Sequence, residues 1–294
     1  MKATIKNLYS QLLSSRYLLK EWEGTSDCSE KKAFRLVFFS HYDQNGIVHN
    51  YVLDYLKQLA QNNCCIIFVS TSPTLEKSSI ELIQPYCHRI ILRENIGLDF
   101  GSWRMAYDRY KKLLSKASAL LLLNDSCFGP FFELKPILDS FDQPNTISGI
   151  TLNKEVTPHL QSYFLYIPKD VFSSSFFKRF ISGVQYYSDK NRIIYEYEIG
   201  FSTMALNAGY TLNSWVKNEQ LTQKYSDVNG DKNLTIWYCD LLLKEKLSPF
   251  VKKAVFTDTQ ALIPVQYNEI IKVLQKEYPE QNQKIESYLR ISQA

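Results

Sequence analysis

The chain has 294 residues, 45% of them apolar, and a net charge of only +4. That length carries one large α/β domain or a domain with an extension. The charge is too small and too dispersed for a nucleic-acid surface, because no Lys/Arg block is interleaved with aromatic residues.

In chain order, the first apolar residues (Ile5, Leu8, Tyr9, Leu12, Leu13, Leu18 and Leu19) fall at helical spacing among Lys, Gln, Ser and Arg. The pattern predicts an amphipathic helix, neither a signal peptide nor a membrane span. Lys2, Lys6, Arg16 and Lys20 make this helix a candidate for peripheral membrane contact, with packing on the domain an equal alternative. The polar stretch Glu23 to Lys32 reads as a linker, so 1–32 is set apart from the domain.

Phe34 to Phe39 is a short run of β-formers that suits a buried strand. Val48, Tyr51, Val52, Tyr55, Leu56 and Leu59 then fall on one helical face. The alternation continues with a strand at Cys64 to Val69, a helix near Leu75 to Gln84 and a strand at Arg89 to Leu92. A helix carrying Trp103, Ala106, Tyr107, Tyr110, Leu113 and Leu114 follows, then a strand at Ala119 to Leu123. Strands alternating with helices predict a mostly parallel central sheet flanked by helices, with ligands received beyond the carboxyl ends of the strands. Residues 33–152 form this α/β half.

Residues 153–255 complete the same domain as a more mixed half. Strands are expected at Thr146 to Leu152 and Ser162 to Ile167. One helix should present Phe176, Phe177, Phe180, Ile181 and Val184, and another should run from Glu198 to Ala208, closed by Gly209. Residues 256–294 read as a helical extension with Leu262, Ile263, Ile270, Ile271 and Leu274 as core contacts. The six cysteines form no C-x-x-C pair. Reduced, mostly buried thiols in a cytosolic protein are therefore expected, without a disulfide framework or structural zinc.

Several loops after predicted strands are more polar than packing requires. They are Ser40-His-Tyr-Asp43, Arg93 to Trp103 and Asn124 to Pro130, joined by His159 to Phe164 and Tyr197 to Ser202. Gly97 would let the backbone approach a ligand closely, while Asn95 and Asp99 are suited to ribose or sugar hydroxyls. The structural alternative is that Asp99 caps the following helix and Gly97 makes a turn. Asn124, Asp125 and Ser126 end a buried strand and face the expected crevice; the alternative is an Asx-turn. His41 and Asp43 suit a nucleotide pocket by position, and Tyr42 could stack on a base.

At these residues the chain resembles a known family. Asn95-Ile-Gly-Leu-Asp-Phe-Gly101, Asn124-Asp-Ser126 with Gly129-Pro130, His159-Leu-Gln-Ser-Tyr-Phe164, and Tyr197-Glu198-x-Gly200 are similar to the rhamnan synthesis F family of bacterial polysaccharide enzymes. Asn233 to Trp237 and Pro249 to Lys252 resemble its C-terminal signature, and the likeness spans Phe34 to Lys253. It implies a GT-A-like α/β fold and a glycosyltransferase that moves rhamnose from a TDP-activated donor to a growing surface glycan or lipid-linked acceptor.

Donor contacts are expected at Asn95, Gly97, Asp99, Asn124, Asp125 and Ser126 within the family motifs, and at His41 and Asp43 by position alone; the resemblance implies sugar or acceptor contacts at His159, Gln161 and Ser162. It implies Mg²⁺ or Mn²⁺ on the diphosphate through Asp125, the one carboxylate where the usual acidic motif offers two. Glu198 would be the general base of an inverting transfer. The alternative for Glu198 is a first-turn glutamate on a helix dipole, with Glu196 facing solvent.

Another donor, such as a UDP-hexose, is compatible with the same motifs, as is a non-catalytic glycan-binding scaffold. A dinucleotide oxidoreductase is disfavoured, because Ser40 to Val48 lacks G-x-G-x-x-G. A cytoplasmic location, peripheral at the inner membrane face, follows from the membrane-tethered acceptor that the family uses.

Overall fold

The computed structural model describes residues 15–28, 33–257 and 264–292. Most of the expected N-terminal helix, together with Leu262 and Ile263, lies outside them. An eight-stranded sheet runs through the molecule in the order β1-β4-β3-β2-β5-β10-β7-β11. Its strands are β1 (Leu18–Glu23), β2 (Phe34–His41), β3 (Cys64–Ser70), β4 (Cys87–Arg93), β5 (Ala117–Asn124), β7 (Thr146–Gly149), β10 (Phe164–Pro168) and β11 (Thr211–Ser214). Two small ribbons pair β6 (Cys127–Phe128) with β12 (Val251–Lys252), and β8 (Leu152–Asn153) with β9 (His159–Leu160). The central strands β4, β3, β2 and β5 are mutually parallel, as the alternation of elements predicts, whereas β1 and β10 join them antiparallel.

The strand sequences explain the layering. Along β2, Val37 and Phe39 enter one core with Tyr51, Val52, Leu56 and Leu59 of the helix Asn50–Gln61. Leu36 and Phe38 enter the opposite core with Trp103, Phe177 and Phe201. Alternating side chains on a strand buried on both faces need two apolar layers, so a continuous apolar run such as Cys64–Val69 is a central strand. Ile270 and Leu274 of the helix Pro264–Glu277 are fully buried in the first core. The C-terminal segment is thus integral to that layer.

Two expectations are corrected. Leu18 and Leu19 belong to an edge strand, pairing with β4 from Leu18↔Arg93 to Glu23↔Arg89. A register shift between Leu18 and Lys20 sends Leu18 toward one core and Trp22 toward the other, as a bulge does. Local spacing favours a helix there, but the open β4 edge supplies ladder hydrogen bonds that the chain takes up. The supposed linker continues along this edge through Gly24, Thr25 and Ser26, whose amides donate to His88, Gln84 and Cys87 carbonyls. It reaches a Cys28–Cys65 disulfide, so two of the six thiols are not reduced; the other four cysteines are buried and outside any disulfide.

Candidate active site

Since β2, β3, β4 and β5 are parallel, the loops after them meet at one edge of the sheet. Two of the polar motifs join there directly. The Asn124 side-chain amide donates to the Asp99 carboxylate at 2.8 Å. Asn124 also accepts from Ser126 N (3.0 Å) and Ser126 Oγ (2.7 Å), which forms the Asx-turn. Asp99 does not cap its helix: Gly97 is the N-cap residue of Leu98–Tyr110, and no side chain caps that end. Burial pushes the Asp99 carboxyl up to about 6, and the charge of Asp125 adds to this against hydrogen bonds from Ser40 and Asn124.

The turn before Asp99 is shaped from below. Gly97 has φ of 79°, and a Cβ there would lie 3.1 Å from the Tyr186 ring. The glycine therefore serves a left-handed turn packed on Tyr186, and the space over it is closed to a ligand. Arg93, fully buried, donates to the carbonyls of Ile96 and Leu98 and to Ser102 Oγ, and its guanidinium lies 5.3 Å from the Tyr186 ring centroid. Burial lowers its pKa to about 10. Asn95 is exposed on the outside of this turn.

Asp125 faces a cation. Lys253 Nζ lies 3.1 Å from its carboxylate, and the Tyr51 hydroxyl is within 3.5 Å of the same oxygen. Lys253 also donates to Tyr51 Oη at 3.1 Å. Burial disfavours the ammonium, but Asp125, Tyr51 and Tyr288 hold its pKa well above the ordinary lysine value. Tyr288, on the helix Pro279–Ser292, packs edge-on against His49, Tyr51 and Phe128.

His41 is buried beside this pair; its Nδ1 meets Ser70 Oγ at 3.1 Å, and its Nε2 has no hydrogen-bond partner among the described residues. Burial lowers its pKa. Asp43 is committed to its own loop, accepting from the amides of Asn45 and Ile47 and meeting His49 Nε2 at 3.0 Å. Burial opposes its charge, yet His49 and the two amides bring its pKa down to about 2. A donor-binding role for Asp43 is not what these contacts serve. Tyr42 is exposed.

Glu198 lies on a continuous helical run: Lys190–Ile193, a π-helical turn Ile194–Ile199, then Gly200–Asn207. It is in mid-run rather than in a first turn, which removes the helix-dipole reading; π-helical turns often mark functional sites. Its carboxylate accepts from Ser162 N at 2.9 Å and from Ser162 Oγ, and its other oxygen faces His159 Nε2 at 3.7 Å. His159 Nδ1 lies 2.7 Å from the Thr157 carbonyl, which can only accept, so that nitrogen carries a proton. A second proton on Nε2 suits the carboxylate opposite. Although burial opposes both charges, each pKa moves toward the ion pair: His159 upward, Glu198 down to about 2.

Gln161 is buried and its Oε1 accepts from Thr151 Oγ1 (2.8 Å) and Thr235 Oγ1 (3.1 Å). Its oxygen ties the end of the β8–β9 ribbon to the helix Leu234–Trp237. Glu196 pairs with Arg192 at 2.7 Å on the half-exposed outer side, as expected of a solvent-facing residue.

A family model for Rhamnan synthesis protein F matches residues 66–286. The chain belongs to the Rhamnan synthesis protein F family. Among relatives, the protein y4gN of Sinorhizobium fredii is 28% identical over 70% of this chain and 54% of its own length. Virulence protein VirA of Vibrio anguillarum is 27% identical over 82% of this chain and 85% of its own. The glycosyltransferase GlyE of Streptococcus pneumoniae aligns with a TM-score of 0.42 at 12% identity, covering 77% of this chain and 51% of GlyE. The chain thus spans about half the length of y4gN and of GlyE.

The resemblance seen in the sequence is therefore borne out, and the matched stretch holds every family motif from Asn95 to Lys252. Within that family framework, sequence reasoning missed two residues. Lys252 closes the Pro249 to Lys252 signature and Lys253 follows it, neither with a role assigned from sequence, and β12 pairs with β6 so that Lys252 sits opposite Cys127. Lys253 N donates to the Ser126 carbonyl at 2.9 Å. Lys252 is half-buried 4.5 Å from the Tyr163 ring centroid and acts electrostatically on both Asp99 and Glu198. Adjacent lysines after an apolar strand were the available signal, but nothing local says which loop they meet.

A divalent ion on the donor's diphosphate needs one or two open carboxylates besides the phosphates, and the carboxylates here are engaged otherwise. Asp125 already faces an ammonium and a phenol, and Asp99 is bonded to Asn124. Among the described residues, the only three His, Cys, Asp or Glu side chains close enough to share an ion are Cys28, Cys65 and His88, near the amino end of β3, and two of them are disulfide-bonded.

Proposed function

We propose that the protein is a GT-A-like, inverting glycosyltransferase that transfers rhamnose from a TDP-sugar to a growing bacterial surface polysaccharide. Membership of a family named for rhamnan synthesis supports the reaction class, and the observation that carries it is the Asp99–Asn124 contact. It joins two family motifs at the carboxyl ends of parallel strands, the edge at which such sheets receive nucleotides. Asp99, Asn124, Asp125 and Ser126 form the donor side, while His159, Ser162 and Glu198 form the acceptor side.

In this reading Glu198 takes the proton of the attacking hydroxyl. It is an anion at any pH above about 2, and 17% of its side-chain surface remains open. The hydrogen bonds that keep it charged also make it a weak base. Asp99, raised to about 6, is the stronger base by environment, and this favours a second assignment in which it accepts the proton. The pH profile of turnover separates the two. With Glu198 as base, kcat stays level as the pH drops from about 7 to about 4.5; with Asp99, it falls through about 6.

The class and donor are tested by thermal shift, since a specific ligand raises stability by mass action. TDP-rhamnose and TDP should stabilise the protein more than UDP-sugars or NAD. A UDP-hexose as the best ligand overturns the donor, and stabilisation by NAD alone overturns the class. The acceptor is a lipid-linked or nascent glycan at the cytoplasmic membrane face, reached by peripheral contact. No helix among the described residues is long and apolar enough to cross a membrane.

A further inference from the structure

The charges at the sheet edge are distributed unevenly between their partners. Asp125 is neutralised by Lys253 at 3.1 Å, and Glu198 by His159 at 3.7 Å. Asp99 is held by a neutral amide. Lys252 lies opposite Cys127 on the β6–β12 ribbon, next to the Asn124–Ser126 turn, and acts electrostatically on both Asp99 and Glu198. Among the described residues its ammonium has no carboxylate within 4.0 Å, and it rests over the Tyr163 ring. A half-buried ammonium beside a polar loop, in contact with no carboxylate while Asp125 and Glu198 are already paired, can receive an anion.

We propose that Lys252 binds the diphosphate of the donor and balances the charge of the leaving group, with Lys253 occupying the place beside Asp125 where a divalent ion would otherwise sit, so that the transfer needs no metal. This rests on the glycosyltransferase reading above. During transfer the bond between the sugar C1 and the diphosphate oxygen breaks and its electron pair stays on that oxygen. The acceptor oxygen bonds to C1, and its proton passes to the general base. The departing nucleoside diphosphate gains one negative charge, which the Lys252 ammonium offsets by donating a hydrogen bond without losing its proton. Lys253 is a positioning residue: it holds Asp125, and through its amide the Ser126 carbonyl, in the loop that adjoins the diphosphate.

Calorimetric titration with TDP and with UDP tests this on the full chain, in EDTA and in Mg²⁺ or Mn²⁺. The wild type should bind one of the two equally well with and without metal. Lys252→Met should weaken that binding about tenfold or more in both conditions, the worth of one charge-assisted hydrogen bond. Lys252→Arg, which keeps the charge, should bind nearly as the wild type does. Circular dichroism of each variant checks that it is folded. Binding that appears only with the metal, or a Lys252→Met variant that binds as the wild type does, overturns the inference and leaves the transferase reading in place. No binding of either nucleotide in either condition overturns that reading, and the inference falls with it.

Discussion

Replacing Glu198 by Gln keeps the side chain's shape but removes its charge and sets an amide where two donors from Ser162 and the His159 ring converge. The pKa of Glu198 drops from 4.5 to about 2 on folding. That difference corresponds to ~3 kcal/mol of stability above pH 4.5 for as long as His159 stays protonated, with little screening because only 17% of the side chain is exposed. For a chain of 294 residues, a loss of that size lowers Tm by about 5 °C.

Its pH dependence is specific. The lowered carboxylate contributes fully above 4.5 and loses its contribution as the pH falls through about 2. The raised His159 contributes fully below 6.5 and loses its share as the pH rises through its folded value. Both describe one ion pair and are counted once. The stability gap between wild type and Glu198→Gln should therefore be widest between 4.5 and 6.5 and narrow on either side. Urea unfolding of both proteins at pH about 3, 5.5 and 9 measures it. A gap that stays constant across those values refutes the ion pair. Turnover in the variant should fall by roughly 10²–10⁴-fold if Glu198 is the base, and near-normal turnover beside the expected stability loss would make the pair purely structural.

Gly97→Ala places a methyl group against Tyr186 at a left-handed position and should cost ~1–3 kcal/mol, read as a lower urea midpoint; an unchanged midpoint would mean that the turn relaxes freely. Lys253→Met leaves the Asp125 carboxylate largely buried without its cation and should cost ~3–5 kcal/mol. Adding Asp125→Asn should restore most of that loss, and a double variant no more stable than the single would show that the two residues are not coupled.

The central strands and the polar loops after them were legible in the sequence because those signals are local. Continuous apolar runs as short as Cys64–Val69 and Ala119–Leu123 suit strands buried on both faces, and the helical face of Tyr51, Val52, Tyr55, Leu56 and Leu59 is set by a period that neighbouring residues carry. Strand-helix alternation then fixed which ends of the strands carry the site. What tertiary structure alone decided were the pairings between distant segments. Leu18 to Glu23 has helical spacing, yet the unpaired edge of β4 drew it into the sheet, a backbone demand that side-chain pattern does not encode. Cys28 carried no disulfide signal because its partner is 37 residues away, brought close only by that edge strand. Gly97, Asp43 and Gln161 had the residue types of ligand contacts, and packing spent them on a turn, a loop and a buried hydrogen-bond junction. Lys252 and Lys253 had no assigned role until the β6–β12 ribbon set Lys253 against Asp125 and Lys252 over Tyr163, because electrostatic partnership depends on distance in space, which sequence separation does not set.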